Sequence, residues 1–193
     1  MKLSVIITNY NKMPMLNYLL WYFNTYKTEE VEIICIDDSS DIKPKDIDNI
    51  KYIENIENLG IGKVRQQGLD IAKGKYIVFV DGDDIVTTDY LSTILQHIDT
   101  EADIYEFKAV SYPYAIDYSN DIGKVWNKVY KKSFLEQYHC CFQDVKIGED
   151  TSFNELVYIN NPTIEKISKT LYLYNMMVDK PTLSGNFFDI NSL

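Results

Sequence analysis

Three cysteines are too few for a disulfide framework, and two of them, Cys140 and Cys141, are neighbours. With Cys35 inside an apolar stretch, this usage fits a reducing, cytoplasmic setting. No apolar run approaches the roughly 18 residues of a membrane span. Met1-Lys2 leads straight into a strand-like stretch without a signal-peptide pattern. The expectation is therefore a cytoplasmic protein with no transmembrane segment, at most peripheral at a membrane. Basic residues are also scarce: 19 Lys and Arg stand against 29 Asp and Glu, for a net charge of -10 and a pI near 4.6. That balance excludes a nucleic-acid polyanion as the principal partner, although a small phosphate ligand can still be held by a metal and a few placed cations. Internal repeats and low-complexity linkers are absent. So is a Gly-x-Gly-x-x-Gly turn after the first strand-like stretch, where Thr8-Asn9-Tyr10-Asn11 stands instead. This excludes a dinucleotide-dependent oxidoreductase of the usual kind.

What is present suits one globular domain over residues 1–193, with 46% hydrophobic and 25% charged residues. Sixteen tyrosines stand out. They suit stacking on a base or sugar, but AT-rich coding bias accounts for them at least as well. The chain is organised around Tyr76–Asp84, YIVFVDGDD. Tyr76–Val80 is apolar without alternation, the pattern of a strand buried on both faces. It ends in Asp81, Asp83 and Asp84, three carboxylates that packing does not call for. Oxygen ligands at the carboxyl end of a central strand suit a hard cation, and a solvated Asp-Gly turn is the competing reading.

The remaining pattern alternates strands and helices. Strands are expected at Leu3–Thr8, Val31–Asp37, Lys51–Glu54 and Ile104–Val110. Helices are expected after Pro14, at Pro44–Asp48, after Gly60 and after a Thr88 cap. The helix after Pro14 carries Leu16, Leu19, Leu20 and Phe23 on one face. Tyr18, Trp21 and Tyr22 widen that face, through burial or a homo-oligomeric contact. Val64, Gly68 and Ile71 share a face on the helix after Gly60, with the glycine allowing close approach to the sheet. Beyond a Tyr-, Asp- and Asn-rich loop at Ser111–Gly123, a strand is expected at Lys124–Tyr130 and helices at Lys132–Tyr138 and from Gly148. Two short strands follow at Thr163–Ile167 and Leu171–Tyr174, then a loosely held tail. This order describes a doubly wound α/β sheet with its polar motifs gathered at one edge.

The ordered segments SVIITNYNK (4–12), IDDSS (36–40), NLGIGKVRQQGLDIAKGKYIVFVDGDD (58–84), VWNKVYKKSF (125–134) and GEDTSF (148–153) resemble the family 2 glycosyltransferases. The resemblance implies a GT-A fold, Rossmann-like with a mostly parallel sheet, with a nucleotide-sugar half at 1–110 and an acceptor-side half at 111–193. It implies an inverting transferase that takes a sugar from a nucleotide donor, usually a UDP-sugar, to a glycan, lipid-linked or protein acceptor, assisted by Mn²⁺ or Mg²⁺. Motif by motif, it places Thr8 and Tyr10 beside the base, Asp38 on the uracil N3 hydrogen, Arg65 near the base or phosphates and Asp81 on the ribose side. Asp83 would hold the metal, and Asp150 would be the catalytic base with Glu149 beside it.

Chemistry supports these roles. Base–aromatic stacking at Tyr10 would contribute about 1–3 kcal/mol. A carboxylate at Asp38 accepts from uracil N3–H and repels the unprotonated N3 of cytosine. A metal at Asp83 would offset charge on the leaving diphosphate. An acidic residue at a helix start, such as Asp150, is favoured by the helix dipole, and helix capping is its structural alternative. Lys63, Arg65 and Lys128 are candidate helpers or plain surface charges, and Trp126 is either a sugar platform or core. The chain departs from the pattern in the abbreviated segment Ile85–Lys124. It also has no arginine or histidine at Leu171–Asn175, so neither His97 nor His139 is expected to bind metal. A non-catalytic module of the same fold is the alternative function.

Overall fold

The computed structural model describes residues 1–44, 47–145 and 147–177. Its elements, in chain order, are β1 (Leu3–Asn9), α1 (Met15–Tyr26), β2 (Val31–Asp37), β3 (Lys51–Glu54), α2 (Ile61–Ile71), β4 (Tyr76–Asp81), β5 (Ile85–Val86), α3 (Tyr90–His97), β6 (Ile104–Tyr112), β7 (Lys128–Lys131), α4 (Lys132–Gln137), α5 (Glu149–Tyr158) and β8 (Ile164–Asn175). The strands form one sheet in the order β3-β2-β1-β4-β7-β6-β8-β5. Its first four strands are parallel, β7 runs against both its neighbours, and β6 and β8 are parallel to each other.

The non-alternating strands have a simple origin: the sheet is covered on both faces. Val5 and Ile7 of β1, Ile33 and Cys35 of β2, and Val78 and Val80 of β4 pack with Leu16, Leu19, Leu20 and Phe23 of α1. The intervening residues Ile6, Ile34, Ile36, Ile77 and Phe79 pack on the other side with Val64 and Leu69 of α2 and Phe153 and Val157 of α5. Both pleat directions therefore need apolar side chains, which erases the period of two. Gly68 lies where α2 crosses β1. A Cβ there would stand 2.3 Å from Ile6 Cγ2, so only glycine permits this approach.

Several boundaries differ from expectation. Asp89, not Thr88, precedes α3, and it makes no side-chain capping bond. The strand expected from Lys124 starts at Lys128, because 124–127 is bent by the Lys128 ammonium, which gathers the carbonyls of Asp121 and Lys124 (2.9 and 2.7 Å). The two strands expected after Thr163 are one, β8. Its irregular register against β6 near Phe107–Ala109 interrupts the residue pattern without breaking the strand. β5, only two residues long, has no periodic signature to read. Of the helix expected at Pro44–Asp48, Lys45 and Asp46 lie outside the described residues, and Ile47–Ile50 forms a turn (Ile50 N to Ile47 O, 3.1 Å). The expected tail also lies outside them. On α1, Tyr22 is buried while Trp21 is 56% exposed. Among the described residues no helix is long and apolar enough to cross a membrane.

Candidate active site

The parallel register brings the strand-end motifs together. Thr8 pairs with Asp81, and Asn9 with Asp37, across neighbouring strands. Thr8 Oγ1 donates to Asp81 Oδ1 (3.2 Å). Asn9 Nδ2 donates to Asp37 Oδ2 (2.6 Å) and to Ser40 Oγ (3.0 Å), and the Ser40 amide donates to Asp37 Oδ1 (2.7 Å). Burial of Asp37 disfavours its charge, but the bonds from the Ser40 amide and Asn9 outweigh this and hold the carboxyl below its ordinary range. Asp37 thus organises the loop, and its neighbour Asp38 is left facing the next motif.

Asp38 is itself buried. Its Oδ1 accepts from the Leu59 amide (2.9 Å) and Asn55 Nδ2 (3.0 Å), and its Oδ2 from the Gly60 amide (2.9 Å). A carboxylate oxygen offers two lone pairs, so Oδ2 retains capacity for one further donor. These bonds pin the loop that leads into α2, where Gly60 adopts φ +86°. Tyr10 remains 47% exposed at the mouth of the same edge.

The acidic turn after β4 splits into three environments. Asp81 Oδ1 accepts from Arg65 Nη2 at 2.8 Å as well as from Thr8. Asp83 is partly exposed and pairs with Lys12 Nζ at 2.9 Å. Asp84 turns inward: its Oδ2 accepts from the Tyr172 hydroxyl (2.6 Å) and its Oδ1 from the Asn175 amide (2.7 Å). Burial, reinforced by the Asp81 and Asp83 charges, pushes its carboxyl well above the ordinary range. The reading that packing asks for none of the three is therefore corrected at Asp84, which fastens the turn to β8. Asn175 Nδ2 adds a bond to the Asp83 carbonyl (2.9 Å). Nothing local in the sequence marks Tyr172 or Asn175 as partners of this turn, because they are 88 and 91 residues beyond Asp84.

On the opposite side, Gly148 in the left-handed region (φ +83°) turns the chain into α5, whose first residues are Glu149 and Asp150. Glu149 Oε1 accepts from Arg65 Nη1 at 2.6 Å. Asp150 accepts at Oδ1 from the Thr151 amide (2.8 Å), and the Lys124 ammonium lies 3.5 Å from its Oδ2. The candidate basics also separate. Lys63 is a surface residue paired with Asp144, whereas Arg65 and Lys128 are buried, which corrects the reading of them as solvated charges. Burial pulls the Lys128 amine down to about 8, yet three acceptors surround it: the Asp121 and Lys124 carbonyls and Asn127 Oδ1 (2.7 Å). Trp126 is core, stacked between Tyr172 and Tyr174 at 5.0 and 5.6 Å.

Among the described residues no group of three His, Cys, Asp or Glu side chains could by itself hold a metal. This does not argue against a small divalent ion, because Mg²⁺-type sites commonly use one or two carboxylates plus substrate phosphates and water. Asp83 fits that donor set: it is accessible, and Lys12 already supplies a cation to its Oδ2.

The family model for glycosyl transferase family 2 matches residues 4–157. Glycosyltransferase GlyA of Streptococcus pneumoniae is 27% identical over 215 residues, covering 91% of this chain and 30% of GlyA. The putative glycosyltransferase EpsH of Bacillus subtilis is 26% identical over 207 residues, covering 90% of this chain and 60% of EpsH. A crystal structure of TarS residues 1–349 from S. aureus superimposes with a TM-score of 0.79 at 24% identity, covering 92% of this chain and 61% of that one. The same TarS fragment has been crystallised with UDP-GlcNAc. This chain spans less than two thirds of each of these relatives. The mixed sheet with flanking helices matches the GT-A-like TarS fold, and with the family model covering most of its length, this chain belongs to glycosyl transferase family 2.

Proposed function

We propose that this chain is the catalytic domain of an inverting glycosyltransferase that moves a sugar from a UDP-sugar to a hydroxyl acceptor, with Asp150 as the base. The observation that carries this reading is the division of labour at the start of α5. Glu149 is committed to a guanidinium at 2.6 Å, while among the described residues Asp150 Oδ2 meets one cation, the Lys124 ammonium, at 3.5 Å. In the reaction the acceptor oxygen bonds to the anomeric carbon as the bond from that carbon to the diphosphate breaks. The bonding pair leaves with UDP, and the acceptor proton passes to Asp150. Tyr10 would stack on the base, Asp38 would accept from N3–H, and Thr8 and Asp81 would border the nucleoside. Asp83 would hold Mn²⁺ or Mg²⁺, which when bound would neutralise diphosphate charge. The acceptor, whether glycan, lipid-linked or protein, would be met on the side of residues 111–177.

The test uses UDP-glucose and UDP-GlcNAc with water as acceptor, following UDP release, beside calorimetry with UDP. Asp150→Asn keeps the size of the side chain and should lower turnover by about 10²–10⁴ with UDP affinity unchanged. Glu149→Gln inactive beside a normal Asp150→Asn would move the base to Glu149. Normal turnover in both would refute the base assignment and leave Glu149 and Asp150 as a helix cap, whereas UDP binding without any UDP release by the wild type would favour the non-catalytic module.

A further inference from the structure

Arg65 is the only arginine in the chain and, among the described residues, the largest fully buried side chain, 2% exposed. It comes from α2, yet its two terminal nitrogens go to two other elements. Nη2 reaches Asp81 at the end of β4 (2.8 Å), and Nη1 reaches Glu149 at the start of α5 (2.6 Å). Nε is buried with no hydrogen-bond partner, and the ring of Phe142 lies 5.9 Å from the guanidinium carbon. Residues 81 and 149 thus belong to the two sides that must meet across a donor, and one planar fork fixes them relative to each other. A lysine could not do this, because a single ammonium on a flexible stem cannot present two divergent donors at fixed spacing. The local packing agrees. Gly62, one turn earlier on α2, is so close to Glu149 that a Cβ there would stand 3.2 Å from Glu149 Cβ and 3.3 Å from the Gln143 carbonyl.

We infer that Arg65 is a positioning residue rather than the base or phosphate contact that the family resemblance implies: buried, with both terminal nitrogens on carboxylates, it sets the separation between the acidic turn after β4 and the helix start that carries Asp150. The inference rests on Asp150 being the base. A buried guanidinium between two carboxylates also contributes to stability, so kinetics and stability must be read apart. A misplacement of about 1 Å in a reacting constellation costs on the order of 10²-fold in rate. The buried charge itself is retained in Arg65→Lys, which keeps the cation and loses the fork.

The experiment measures four quantities in wild type, Arg65→Lys, Asp150→Asn and the double variant: melting temperature, UDP affinity by calorimetry, and kcat and KM for UDP release from UDP-glucose and UDP-GlcNAc with water as acceptor. The expected result for Arg65→Lys is a kcat lower by roughly 10²-fold, with UDP affinity and KM within about threefold of wild type. In the Asp150→Asn background the same substitution should cost almost nothing, because the group it positions is gone. Gly62→Ala should push the helix start from the other side and give a smaller fall of the same kind. It carries the test alone should Arg65→Lys fail to fold. A parallel loss of UDP affinity and kcat, or an undiminished cost of Arg65→Lys in the Asp150→Asn background, would overturn the positioning role. A wild-type kcat in Arg65→Lys with Asp150→Asn inactive would remove only Arg65 from the scheme. Wild-type turnover by Asp150→Asn would remove the base, and this inference with it.

Discussion

Replacing Tyr172 by phenylalanine removes one oxygen and leaves its ring stacked on Trp126, at 5.0 Å and an interplanar angle of 6°. That oxygen donates to the buried Asp84 Oδ2 at 2.6 Å and accepts from the Asp81 amide at 3.1 Å. A hydrogen bond to a charged group contributes about 1.5–3 kcal/mol, and the orphaned amide, only part-buried, adds about 1 kcal/mol at most. The expected destabilisation is therefore about 2–4 kcal/mol at a pH where Asp84 is ionised, measured by urea denaturation. Its pH dependence has a definite sign. Burial and the neighbouring carboxylates raise Asp84 above its unfolded value of 3.8, and the Tyr172 bond partly lowers it again. A raised carboxyl binds its proton more tightly in the folded state, so its stabilising contribution is full below the unfolded value and lost as pH rises through the folded one. Without the hydroxyl the folded value rises further and the loss widens. The Tyr172→Phe penalty should thus shrink on acidification toward the pH at which Asp84 is protonated. It should also shrink in an Asp84→Asn background, by about 1–2 kcal/mol of coupling. A penalty below about 0.5 kcal/mol at every pH, or one independent of pH, would refute the role assigned to this pair.

Asp83→Ala should leave the fold intact and abolish any strengthening of UDP binding by Mn²⁺ over EDTA in calorimetry; a persisting metal effect would place the ion elsewhere. UDP should also bind more tightly than CDP, and equal affinities would remove Asp38 from base recognition. Gly68→Ala should destabilise by about 1–3 kcal/mol in spite of alanine's better helix propensity, because its Cβ meets Ile6 in a filled core. Neutral behaviour by denaturation would mean that α2 can lift from β1 without cost. Lys128, drawn down to about 8 from 10.5, binds fewer protons folded than unfolded between those values. Stability should therefore rise between pH 8 and 10.5, by up to about 3 kcal/mol more than in Lys128→Met. Identical slopes would show that the three carbonyl acceptors hold the ammonium charged throughout.

Much of the donor-side architecture is legible in the chain because its signals are local. Largely apolar stretches without strict alternation at 3–8, 31–37 and 76–80 are satisfied by a sheet covered on both faces, and each is followed by polar residues that therefore stand at one edge. Gly68 on an apolar helix face predicts close approach, and the structure shows Ile6 filling the space a Cβ would take. The family is legible for the same reason, since its segments keep their order along the chain. What tertiary structure decided is the partner of each charge. Asp81, Asp83 and Asp84 look alike in sequence, yet one is gripped by Arg65, one faces Lys12 and one is buried under Tyr172. Arg65 and Lys63 are two positions apart on one helix, and only the helix's orientation against α5 buries the first and leaves the second in solvent. The bend at 124–127 likewise depends on carbonyls gathered by an ammonium, a contact with no periodic trace. Hydrophobic periodicity reports the average environment of a segment, whereas ion pairs and buried hydrogen bonds depend on which distant strand or helix end arrives beside it.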